Sequence, residues 1–95
     1  MALKYIKNKK RMVWRKMSEE TIIMDMENGK IHSLDDVASV IWDLIDQYQT
    51  QEEILQQLKE IYPEVSQDIL KEDLEEFIDE LSEKEIILVE GESEE

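Results

Sequence analysis

From residue 12 to residue 34 apolar side chains come in short β-branched runs, and beyond residue 36 they recur at intervals of three and four. "MVWRKM" (12–17) and "TIIMDM" (21–26) predict two strands separated by the polar "SEE". Asn28-Gly29 brings together two residues that tolerate positive φ, which predicts a hairpin into a returning strand, "KIHSL" (30–34). The expected result is a three-stranded antiparallel meander whose third strand lies at an edge.

The remainder reads as three helices. Asp35 can cap the first, in which Val37, Ala38, Ile41, Trp42, Leu44 and Ile45 share a face. Thr50 and Glu53 form a capping box at the start of the second, with hydroxyl and carboxylate each expected to satisfy a free backbone N–H. Its apolar stripe is Ile54, Leu55, Leu58 and Ile61, and Tyr62-Pro63 ends it. Ser66 caps the third helix, whose buried face is Leu70, Leu74, Phe77, Ile78 and Leu81. The charged "SEKE" breaks the pattern, and "IILVE" (86–90) is a short strand or extended packing segment. The order β-β-β-α-α-α describes an α+β, winged helix-turn-helix-like domain over residues 11–90. Residues 1–10 read as a basic flexible arm and residues 91–95 as a disordered acidic tail.

Length and composition fit one small domain: 95 residues, 41% hydrophobic, without cysteine. There is no secretory signal and no apolar run long enough to span a membrane, so a cytoplasmic protein is expected. Charge adds more. The net value is −14, yet residues 1–18 hold seven Lys or Arg and no acid, against 25 acids and four bases in the rest. An acidic body disfavours nucleic acid as a partner.

Candidate chemistry is sparse. His32 is the single histidine and has no second His or Cys as co-ligand, so it reads as a surface or groove-lining ring. The chain has two glycines and no phosphate loop, and its paired carboxylates lie on helices where a solvated face is the ordinary reading. Trp42, and by preference Trp14, read as core, and the methionines at 12, 17, 24 and 26 as gap-fillers. No enzyme activity, metal or cofactor is expected.

A DNA-reading third helix would bring Lys or Arg to phosphates. Residues 66–83 instead present Asp68, Glu72, Asp73, Glu75, Glu76, Asp79, Glu80 and Glu83 against Lys71 alone. The same architecture can capture a peptide, because an edge strand offers unpaired N–H and C=O groups to an added strand. Alternation puts Ile31 and Ser33 on one face of the third strand, with Lys30, His32 and Leu34 on the other. One flank of the third helix carries Ile69, Asp73, Glu76 and Glu80, and the other Lys71, Glu75 and Ser82. Periodicity leaves open which flank faces the strand. The first has an apolar member as well as acids and is preferred. The candidate peptide-binding residues are therefore Lys30, Ile31, His32, Ser33, Ile69, Asp73, Glu76, Phe77 and Glu80, suited to apolar anchors beside Lys or Arg.

Three motifs in order, "SLDDVASVIWDLID", "TQEEILQQLKEIYP" and "ILKEDLEEFIDELSEKEIIL", resemble the PqqD-like family over roughly residues 12–89. The matching residues are Leu34, Ala38, Ile41, Trp42, Leu44 and Asp46, then Thr50, Glu53 and Ile54, then Asp73, Leu74, Phe77, Ile78 and Leu81. Asp35 stands where the pattern has Asn, one cap for another, and Gln47 where it has Gly. The resemblance implies a stand-alone RiPP recognition element, a non-catalytic protein that binds the leader of a ribosomally made precursor peptide. It implies an antiparallel strand added to the third β-strand, packed over the third helix. The partner implied is a modifying enzyme: a leader peptidase and cyclase in lasso-peptide pathways, or a radical SAM enzyme. Trp42 within "VIW" and the Asn-Gly hairpin are more similar to the lasso type. The rival expectations are a winged-helix transcriptional regulator and a purely structural subunit of a larger enzyme. The oligomeric expectation is a monomer or a strand-paired dimer.

Overall fold

The structure, a computed structural model, describes residues 3–91. The elements in chain order are β1 (Leu3–Lys7), β2 (Met12–Met17), β3 (Glu20–Asp25), β4 (Ile31–Leu34), α1 (Asp36–Ile45), α2 (Gln51–Ile61), α3 (Gln67–Glu83) and β5 (Ile87–Gly91). They form an α+β fold with the expected antiparallel meander, β2-β3-β4, and three helices. The meander's inner face meets α1 through Ile23 and Leu34, which are buried with Ile41, Trp42 and Ile45. The stripes of α2 (Ile54, Leu58) and α3 (Leu70, Leu74, Phe77, Ile78, Leu81) complete one core. Ile61, expected on the α2 stripe, is instead exposed.

The N-terminal arm is the main correction. Residues 3–7 are strand β1, paired antiparallel with β5 from Leu3↔Gly91 to Lys7↔Ile87. The fold therefore starts before residue 11, and Gly91, expected in the tail, closes β5; residues 1–2 and 92–95 lie outside the described residues. The arm's lysines mask a two-residue alternation in which Tyr5 and Lys7 point inward, both only 4% exposed. Tyr5 N–H donates to the Gln49 carbonyl at 2.8 Å, tying the strand to the turn between α1 and α2. Lys7 is buried by a different arrangement. Its Nζ sits 4.6 Å from the Trp42 ring centre and 5.0 Å from that of Trp14, and bonds Asp46 at 2.8 Å. The two indoles pack edge to face, 5.0 Å apart.

Each helix end has a local cause. Asp35 accepts from the Ala38 N–H, and Ser66 from the Ile69 N–H. At α2 half of the expected box forms: the Thr50 hydroxyl accepts from the Glu53 N–H, but the Glu53 carboxylate accepts a hydrogen bond from the Thr50 hydroxyl and not from the Thr50 N–H. The "SEKE" break is a Schellman turn. Ile86 N–H reaches back to the Leu81 carbonyl at 2.9 Å and Glu85 N–H to that of Ser82 at 3.1 Å, with Glu85 at φ +61°.

The β3-β4 connection also differs from expectation. Asn28-Gly29 is not a two-residue turn but the end of a loop closed by the Asp25–Lys30 pair, and of its residues only Gly29 takes a positive φ, +76°. Asp25 organises that loop. Its carboxylate accepts from Arg11 Nε and Nη2, both at 2.8 Å, and from the Glu27 N–H at 2.9 Å. The Arg11 guanidinium holds the Asp25 carboxyl down at about 2.

A candidate peptide-binding groove

Strand β4 is an edge, with β3 on one side and no described strand on the other. Which of its backbone groups are free follows from the register. Asp25 N–H donates to the Lys30 carbonyl, so the 25/30 pair is hydrogen-bonded. Such pairs recur every second residue in an antiparallel ladder, which makes 23/32 and 21/34 the next ones. The β2-β3 ladder agrees, because the bond from Met26 N–H to the Arg11 carbonyl turns Met24 and Ile22 toward β2. His32 and Leu34 thus bond inward to β3. Ile31 and Ser33 turn their N–H and C=O groups to the open edge.

Beside that edge lies a groove of about 290 Å³ bounded by β4, the start of α1 and the C-terminal half of α3. Its floor is Leu34, Ala38, Phe77 and Leu81, and its walls carry His32, Ser33, Asp35, Glu80 and Lys84. It runs on, through the shared His32 and Lys84, into a polar cleft at the β3-β4 loop lined by Arg11, Asp25, Lys30 and Glu83. Of the residues singled out from sequence, His32, Ser33, Phe77 and Glu80 line the groove, Lys30 lines its extension, and Ile31 lies on β4 with its side chain on the opposite sheet face. Ile69, Asp73 and Glu76 do not line it. They stand exposed further toward the N-terminus of α3. The opposite flank is engaged elsewhere, since Glu75 accepts from Gln51 Nε2 at 3.2 Å. Sequence reasoning missed Leu34 and Leu81 as floor because both fell within core patterns. It missed Lys84 because the Schellman turn that brings it to the groove has no glycine to announce it.

The groove is electrically graded. Lys84 reaches Glu80 at 3.4 Å, and Lys30 lies at the same end. The other end meets Asp35 at the α1 N-terminus. Outside the groove lining, burial and then Asp36, Asp35 and Glu64 push the Tyr62 hydroxyl up from its ordinary value. Among the described residues, no group of three or more His, Asp or Glu side chains is placed to hold a metal ion, and no helix is long and apolar enough to cross a membrane.

Residues 20–87, most of the chain, match the family described as coenzyme PQQ synthesis protein D (PqqD). The chain belongs to the PqqD family. It is also similar to a solved structure, TbiB1 in complex with the TbiA(beta) leader peptide, with a TM-score of 0.75 and 27% identity over 88% of this chain and 94% of that one. No curated protein matches significantly by sequence. Within this PqqD-family chain, the match runs from the start of β3 to the start of β5, so it includes β4, α3 and the groove between them.

Proposed function

We propose that this PqqD-family protein is a RiPP recognition element that captures the leader segment of a precursor peptide by strand addition to β4. The observation that carries the reading is the free edge: Ile31 and Ser33 offer N–H and C=O groups beside a groove floored by Phe77 and Leu81. The similarity to TbiB1, a protein solved with a leader peptide, supports it. Lys30, Ile31, His32 and Ser33 form the docking edge. Phe77 supplies the apolar floor and Glu80 one wall, while Asp73, Glu76 and Ile69 extend the acidic face that an emerging peptide crosses. The ladder gives affinity and the groove selects side chains.

On this reading the protein performs no chemistry. It presents the remainder of the precursor to a modifying enzyme, a leader peptidase with its cyclase in a lasso-type pathway or a radical SAM enzyme in another. Fluorescence anisotropy with the labelled leader of the cognate precursor tests this. Saturable binding that survives raised salt and weakens in the Ser33→Pro variant is expected. Absence of binding at low salt refutes it, and a salt-sensitive shift of duplex DNA would favour the regulator instead.

A further inference from the structure

The outer face of the meander is at odds with its setting. An antiparallel sheet with one face on the core ordinarily turns polar side chains to water. Here Val13, Met24 and Ile31 form one cross-strand row, fixed by the Val13↔Met24 and Met24↔Ile31 pairs, and they are 47%, 42% and 64% exposed. Ile22 and Met17 continue the apolar surface, and with Arg15 the set lines a shallow concavity of about 370 Å³. The methionines are therefore not core fillers as a group: Met12 is buried, whereas Met17, Met24 and Met26 are exposed. In a chain that is 38% charged, so concentrated an apolar surface marks a contact.

The ladder geometry names its occupant. Directly opposed residues in an antiparallel pair project from the same face. A peptide residue opposite Ile31 must therefore stand on the outer face, next to Ile31, as the fourth member of the Val13–Met24–Ile31 row. The peptide residue just before it in sequence lies opposite His32 and enters the groove between Phe77, Glu80 and Lys84. Resting on strand addition as the mode of capture, we infer that recognition is two-sided. The leader carries a groove residue followed immediately by a large apolar residue, and that second side chain covers Ile31 and Met24 on the outer face. A second copy of this chain suits the face less well, because a net charge of −14 opposes self-association.

The test selects displayed random twelve-residue peptides on the full chain, then measures one enriched peptide by anisotropy against the wild type, Met24→Ser and Ser33→Pro. Met24 is exposed, and thermal melts verify that each variant folds. The inference expects adjacent groove and apolar preferences, with about fivefold weaker binding in Met24→Ser. It also expects that replacing the peptide's apolar residue by Ser removes the difference between wild type and Met24→Ser. If Ser33→Pro abolishes binding while the Met24 and peptide substitutions act independently, two-sided recognition is overturned and strand addition stands. If Ser33→Pro is without effect, or no peptide is enriched, strand addition fails and takes the inference with it. Sedimentation showing self-association lost in Met24→Ser would assign the face to a second copy and overturn the inference.

Discussion

Replacing Ser33 by proline separates the docking edge from the fold. Ser33 N–H points out of the sheet, so the native β3-β4 ladder loses no bond, and proline is tolerated where an edge strand's N–H faces solvent. The restriction on the preceding residue favours extended backbone, which His32 already has. An added peptide is affected differently. It loses one main-chain hydrogen bond, worth about 1 kcal/mol, and is left with an unpaired carbonyl under the groove rim at about 1–3 kcal/mol. The sum is about 2–4 kcal/mol, a loss of roughly 30- to 1,000-fold in affinity. His32→Pro is the converse control, because His32 N–H belongs to the native ladder and its removal should lower Tm before any peptide is added. The assay is leader anisotropy beside thermal melts of each variant. Ser33→Pro binding within about twofold of wild type, with Tm unchanged, would refute the assignment of the free edge.

Three further outcomes follow from side chains away from the edge. The Asp25 carboxyl is held below its ordinary value of 3.8 by Arg11, so its contribution is present above pH 4 and is lost as pH falls toward 2; acid unfolding monitored by circular dichroism should lose that segment of its pH dependence in Asp25→Asn. Glu85 occupies the left-handed position of the Schellman turn, and Glu85→Gly should raise stability to urea by about 1 kcal/mol, less what its exposed contact with Arg11 provides. Asp46→Ala leaves the buried Lys7 ammonium without its carboxylate, and because Asp46 is 56% exposed the expected loss is about 1–2 kcal/mol by urea unfolding, between the values for exposed and for fully buried pairs. An unchanged denaturation midpoint in that variant would mean that the two indoles suffice to hold the cation.

Much of the architecture could be read from residue order, because periodicity and caps act locally. The meander, three helices, the Asp35, Thr50 and Ser66 caps and the buried stripe of α3 needed no long-range information. What stayed hidden depends on partners far along the chain. Strand β1 looks like a basic arm until β5, 80 or more residues away, pairs with it and two tryptophans accept Lys7. The Schellman turn was illegible because Glu85 stands where glycine would have signalled it. In the groove, alternation correctly separated Ile31 and Ser33 from His32 and Leu34, but which backbone groups were free required the register of both ladders. The outer apolar row was missed for a related reason. Val13, Met24 and Ile31 come from three strands, and only their pairing brings them together.

Amide exchange by NMR, with and without the labelled leader, measures the central claim residue by residue. Strand addition at β4 predicts that the Ile31 and Ser33 amides exchange quickly in the free protein and become protected on binding. The His32 and Leu34 amides, already bonded to β3, should be protected in both states. A leader that binds while the Ile31 and Ser33 amides remain fast would show that the peptide is held without adding a strand to this edge.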